Sequence, residues 1–244
     1  MTGNVLSDNN CCENMIPDDV GIGIKRIFDL ERVPTSFNDL NSLIQRSHDR
    51  KSEDLAVLSY IGRHFIENKV FPHLDLVAKD LDIEPSRLNQ IVSVLEGSGY
   101  LTFGKNVEIV GACGMSASST SHLFYLGDRP INVWCAIDAL GIPLVLGINA
   151  EVKSKCSHCG DKIGIKTRGG DLEEYNNDNL VFVGFSGKME GKIVKDLCPY
   201  LNFFCSLEHL QEWKKSRPDI RGMGLSLPVA AELSKIIFES LSKK

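Results

Sequence analysis

No apolar run in this chain of 244 residues approaches the ~18 residues of a membrane-spanning helix, so no helical membrane span is expected. The opening stretch MTGNVLSDNNCCENMIPDDV lacks a basic segment followed by an apolar one. A secretory signal is therefore not expected, and the compartment read from the sequence is the cytoplasm. Positive charge is also short: 27 Lys and Arg stand against 32 Asp and Glu, a net charge of -5. That balance excludes a protein that coats nucleic acid indiscriminately, though it leaves room for a local basic face. Internal repeats and low-complexity tracts are missing as well. The apolar fraction, 43%, is ordinary and sufficient for a sizeable core.

What the chain does have is cysteine, at 11, 12, 113, 135, 156, 159, 198 and 205. In a reducing compartment such residues are more often metal ligands or reactive thiols than disulfides. A buried, inert thiol is the bland alternative at each position.

The chain divides by composition into three parts. Residues 1–21 are polar and without period, a loose tail that holds the vicinal pair Cys11-Cys12. Residues 22–106 are helical in pattern. LAVLSYIGRHFIEN and HLDLVAKDLDI have helical spacing, SRLNQIVSVLE follows Glu84-Pro85, and glycines 97 and 99 stop it before a short strand at Tyr100–Phe103. Helix, helix, helix, strand in that order looks like a winged helix-turn-helix, and DNA is one partner that this topology suggests. The helix that would enter the groove offers one Arg, one Asn and one Gln but no basic cluster for phosphates. Residues 107–244 change character. VEIVGACGM, HLFYL, LVLGI, AEVKS, IGIKT and NLVFVGF are expected as strands, with helices near 133–141, 206–215 and 228–242. The fold class expected is α+β: a winged-helix-like helical domain followed by a mixed α/β domain on short strands.

Three stretches can carry chemistry. INVWCAIDALGIP, residues 131–143, is oily yet holds Cys135 and Asp138. If helical, the two lie one turn apart on one face, and the helix N-terminus would lower the thiol pKa while burial raises that of the carboxyl. The bland reading is a core helix with a buried thiol and an Asp that caps something. CSHCG, residues 156–160, has the spacing of one zinc knuckle, but Cys198 and Cys205 are separated by six intervening residues and do not form a second. LCPYLNFFCS, residues 197–206, is expected as a tight turn entering a buried strand.

Taken in order, W-C-A-I-D-A-L, then V-x-S-x-C at 152–156, L-C-x-x-x-x-F-F-x-S at 197–206, Trp213 and G-L-S-L at 224–227 resemble the organomercurial lyase (alkylmercury lyase) family. The similarity covers about 107–238, and the helical segment before it also fits that family. The resemblance implies Cys135, Asp138 and Cys198 as catalytic residues that also hold mercury, and Cys156 as a structural cysteine. Pro199 stands where some members have a second consecutive cysteine, and Cys159 is an addition that makes Cys156/Cys159 a candidate second metal site. The implied reaction is protonolytic cleavage of R–Hg⁺ to R–H and Hg²⁺. It needs no cofactor, has Hg²⁺ as bound product, and has a mercuric reductase as the implied acceptor. Zinc at Cys156/Cys159 is a further expectation.

The chemistry explains those residue types. Mercury is soft and prefers thiolate ligands. Two thiolates raise the electron density on the metal, and a carboxylic acid beside it delivers a proton to the departing carbon. Trp134, Phe203 and Phe204 are candidate walls of a dry pocket. Two other classes fit the thiols: a metal-responsive regulator or carrier of the same fold, and a structural zinc protein.

Overall fold

The computed structural model describes residues 52–186 and 192–242. The expected tail 1–21, the helical stretches of 22–50 and Cys11-Cys12 lie outside these residues. Helix α1 (Ser52–Asn68) buries Val57, Leu58, Ile61 and Phe65, one stripe at helical spacing. Helix α2 (Leu74–Asp80) follows. Helix α3 (Pro85–Gly97) begins with proline in its first turn, and the Glu84 carboxylate caps it by accepting from the backbone N–H groups of Ser86 and Arg87. It stops where Gly99 takes φ +79°. There the N–H of Gly99 reaches Glu96 O at 3.0 Å and that of Tyr100 reaches Leu95 O at 2.8 Å, a Schellman end that a side chain at 99 would strain.

Strands β1 (Leu101–Phe103), β2 (Ile109–Ala112), β3 (Met115–Ser116), β4 (His122–Leu126), β5 (Arg129–Val133), β6 (Ala150–Lys155), β7 (Lys162–Arg168) and β8 (Asp171–Glu174) form one antiparallel sheet in the order β1-β2-β3-β5-β4-β6-β7-β8. β1 and β2 pair across residue 106, so the two units expected from composition share a sheet. Strands β9 (Leu180–Ser186), β10 (Asn202–Phe204) and β11 (Ile220–Ser226) form a second antiparallel sheet in the order β10-β9-β11. The class is α+β.

Between the sheets runs α4 (Ala136–Val145), buried at every position from Ala136 to Leu144. It crosses α7 (Leu227–Ser242) closely because position 141 is glycine: a Cβ there would meet Phe238 Cδ2 at 2.4 Å. Helices α5 (Ile193–Asp196) and α6 (Leu207–Lys215) flank β10, with a 3-10 turn at Cys198–Tyr200 between α5 and that strand.

Two expectations need correction. LVLGI is not a strand: Leu144 and Val145 finish α4, Leu146 caps it and Gly147 turns at φ +63°. A helix buried all round has no polar face, so its period is invisible in the sequence. Strands β5, β8 and β11 were not anticipated. In β11 the reason is plain, because Gly222 and Gly224 make IRGMGLS look like a loop. A Cβ on Gly222 would lie 2.3 Å from Val183 O, so the glycine is there to let β11 approach β9.

Candidate active site

Cys135, Asp138 and Cys198 come together: one ligand atom from each lies within 4.8 Å of the others. Their exposures are 1%, 6% and 5%, so the cluster is dry. The way Cys135 meets Asp138 differs from the expectation. Helix α4 starts at Ala136, and Cys135 is its N-cap with extended backbone at φ −150°, not a residue of the first turn. Asp138 is the third helical residue, and its carboxylate reaches back to accept from the backbone N–H and the thiol of Cys135. Asp138 supplies the N3 half of a capping box, with Asp in place of Glu, while the Cys135 thiol makes no reciprocal cap bond. The capping role and the reactive pair are thus one arrangement.

Cys198 arrives from the other sheet. The turn that carries it is held at both ends: Ala136 N–H donates to Leu201 O at 2.9 Å, and Ile193 N–H donates to Ser98 O at 3.2 Å. The first bond uses a free amide of the α4 N-terminus to fix the chain three residues beyond Cys198. The second ties α5 to the end of α3, where a Cβ on Gly99 would press on Ile193 N at 2.9 Å.

Burial pushes the Asp138 carboxyl up to about 7, against the two hydrogen bonds from Cys135 that favour its charge. Its Oδ2 is buried without a hydrogen-bond partner. An oxygen left that way is placed to carry a proton rather than a charge. The Cys135 thiol is raised well above its ordinary value, first by burial and then by Cys198 and the Asp138 charge, contrary to the lowering expected from the helix N-terminus. For Cys198 the hydrogen bond with Cys135 lowers the pKa, but burial and the charge on Asp138 outweigh it and the net shift is upward. Both thiols therefore hold their protons near neutrality, and a soft metal must displace them.

Gly114 was missed. It sits with Cys113 in the two-residue turn joining β2 to β3, both at positive φ, +53° and +83°. A Cβ on Gly114 would lie 2.6 Å from both Cγ and Oδ1 of Asp138. Its hydrogen is thus part of the wall against the carboxyl, and its carbonyl accepts from Trp134 N–H at 2.7 Å. No sequence signal ties position 114 to position 138, though G-A-C-G is a plain turn signal. Cys113 donates its thiol to Leu58 O at 3.1 Å and anchors α1 to this turn.

Of the expected walls, Phe203 and Phe204 are fully buried, and Phe204 packs edge-on against Trp213 at 5.3 Å. Trp134 lies over Gly111, where a Cβ would come within 2.8 Å of its ring. Beneath β10, His122 meets Ser154 Oγ at 2.9 Å, and burial lowers its imidazole to about 4 against a hydrogen bond with Asn202. That ring is neutral.

Cys156 and Cys159 do not join this cluster. They assemble with Cys205 and His209, again with all ligand atoms within 4.8 Å. On the helix suggested for DNA, Arg87 is bound by Glu53 at 2.5 Å and by Gln90 at 3.0 Å, so its guanidinium is already engaged. Among the described residues no helix is long and apolar enough to cross a membrane.

With the geometry in place, known proteins supply a context. A family model for alkylmercury lyase matches residues 115–239, just over half of the chain. An alkylmercury lyase of Pseudomonas putida is 24% identical over 131 residues, covering 54% of this chain and 61% of that protein. The chain thus matches less than two thirds of that relative's length. An alkylmercury lyase of Bacillus cereus is 22% identical over 150 residues, covering 62% of this chain and 67% of the relative. Among solved structures, the mercury-bound form of MerB2 superposes with a TM-score of 0.72 at 22% identity, covering 84% of this chain and 99% of that one.

Proposed function

This chain belongs to the alkylmercury lyase family, and we propose that it cleaves the carbon–mercury bond of an organomercurial by protonolysis. The observation that carries the reading is the closed triad: two thiols and one carboxyl within 4.8 Å, all buried. R–Hg⁺ enters bound to an external thiolate. One protein thiol attacks mercury and its proton leaves with the external thiol. The second thiol then binds, and Asp138 takes its proton. Mercury now carries R and two thiolates, and its bond to carbon is electron-rich. The Asp138 carboxyl delivers its proton to that carbon, R–H departs, and Hg²⁺ stays on Cys135 and Cys198. One R–Hg–thiolate and two protein thiols become R–H, one external thiol and a dithiolate of mercury. No resident cofactor enters these steps.

The dry site serves both halves. It keeps Asp138 near the pKa at which it can accept and then donate, and it keeps water from competing for the proton. We further read residues 22–106 as a winged-helix-like unit and 107–244 as the catalytic unit, place the reaction in the cytoplasm, and take a mercuric reductase as the acceptor of Hg²⁺.

The test is release of methane or benzene from methylmercury or phenylmercury with excess external thiol. The wild-type chain should release R–H, and Cys135→Ser, Cys198→Ser and Asp138→Ala should each abolish release. A wild-type chain that binds Hg²⁺ tightly but releases no R–H would sink the enzyme reading and leave the metal-responsive regulator. A metal-dependent shift of promoter DNA would then support the regulator.

A further inference from the structure

A second group of thiols lies outside the triad. Cys156 and Cys159 occupy the turn between β6 and β7, Cys205 the turn from β10 into α6, and His209 the first turn of α6. We infer that Cys156, Cys159, Cys205 and His209 form a closed tetrahedral zinc site that clamps these two turns together.

The distances suit that ion. Tetrahedral zinc with Zn–S near 2.3 Å and Zn–N near 2.0 Å separates its ligand atoms by about 3.5–3.8 Å. Here Cys159 Sγ lies 3.6 Å from Cys205 Sγ, and Cys156 Sγ lies 3.9 Å from His209 Nδ1. Cys205 Sγ to His209 Nδ1 is tighter, 2.9 Å, the length of a hydrogen bond that the metal would replace.

The backbone is also shaped for it. C-S-H-C-G folds back on itself: Gly160, at φ +80°, donates to Cys156 O at 2.9 Å, and Cys156 N–H donates to Asp161 O at 2.8 Å. The turn aims amides at sulfur. The backbone N–H groups of Cys159, Cys205 and His158 all bond to the Cys156 sulfur. Asp161 N–H points at Cys159 Sγ from 3.5 Å. Three thiols this close cannot all ionise unless a cation sits between them.

On the other turn, Ser206 caps α6 by accepting from His209 N–H at 3.3 Å, which brings the imidazole one helical turn from Cys205. His158 lies tilted against the His209 ring at 4.9 Å and meets Glu212 at 3.0 Å, steadying the ring from outside the ligand set.

Three thiolates and one imidazole, with no carboxylate and no position left over, is a structural zinc set. The site would also matter to the neighbouring chemistry. Ser157 N–H donates to Phe203 O at 3.0 Å, so the first turn already grips β10. Zinc would lock the far end of the segment that carries Cys198.

The test uses the full-length chain purified without chelator. Elemental analysis should find about one zinc per chain. That zinc should persist in the Cys135→Ser/Cys198→Ser double variant and fall to a small fraction in Cys159→Ser and in His209→Ala. Should those two variants fail to fold, the wild-type chain stripped of metal and loaded with Co²⁺ decides the matter. It should show the intense ligand-field bands of a tetrahedral sulfur-rich site. Zinc that is absent, zinc that leaves with the Cys135/Cys198 variant, a Cys159–Cys205 disulfide in the isolated protein, or weak octahedral Co²⁺ bands would each overturn the assignment.

Discussion

Asp138→Asn should abolish turnover and, at alkaline pH, stabilise the protein relative to the wild type. The folded-state pKa of Asp138 is about 7 against an ordinary 3.8. A carboxyl with a raised folded pKa holds its proton in the native state while the unfolded chain has lost it. Its stability contribution is present at low pH and drains away as pH rises towards and through about 7. Three units correspond to about 4 kcal/mol in all, of which about 3 kcal/mol is lost between about pH 5 and about pH 8. Asparagine keeps the shape and still accepts from Cys135 N–H, but it cannot ionise. It also places an amide where Oδ2 has no partner, a penalty of about 1–3 kcal/mol that does not change with pH. The informative quantity is therefore a double difference. Urea unfolding of both proteins should show the variant gaining about 3 kcal/mol on the wild type between those two pH values. His122 and every other shared titration cancel in that comparison. Turnover of phenylmercury by the variant should fall by at least about 100-fold, while two-thiol binding of Hg²⁺ survives. A stability difference that stays flat with pH would refute the reasoning, because the carboxyl would then not be held near its protonated state.

Gly114→Ala should cut turnover by about 100-fold through displacement of the Asp138 carboxyl, with about 1–3 kcal/mol of backbone strain. Unchanged kinetics would remove Gly114 from the site. Because both thiols hold protons near neutrality, Asp138 must be ionised to accept one. The wild-type kcat/KM should therefore rise with pH through about 7, and a profile that falls across that range would reverse the order of proton transfers. His122, with its folded pKa near 4 against an ordinary 6.5, contributes stability that is full above 6.5 and lost as pH falls through about 4. That loss is about 3 kcal/mol, and NMR titration of the imidazole should find it still neutral at about pH 5.

Much of this site was legible because its chemistry needs particular residue types. Two thiols and a carboxyl in W-C-A-I-D and L-C-P can be read from the sequence, whereas their contact depends on geometry. Sequence spacing suggested Cys135 and Asp138 on one face of a helix, but the pair meets through an N-cap, where the thiol stands outside the helix and the carboxyl turns back. Gly114 could not be found, since its partner is remote in sequence and acts through the absence of a side chain. The second cluster was half legible. C-x-x-C is plain in the sequence, but its complement is C-x-x-x-H at 205–209, which only the fold brings opposite it.

The strand between Cys198 and Cys205 keeps the two clusters distinct. Cys198 and Cys205 lie seven residues apart on one short segment, with β10 between them. Asn202–Phe204 pairs with β9, and Phe203 and Phe204 are wholly buried, so the two ends of the strand face different surroundings. Cys198, at one end, lies in the dry interior beside an acid, where a thiol keeps its proton until a metal displaces it. Cys205, at the other end, is half-exposed beside an imidazole and the turn that carries Cys156 and Cys159. Both sets offer thiols to a soft ion, but only the first holds a carboxyl that can give a proton to carbon. What separates them chemically is therefore Asp138, not the number of sulfurs.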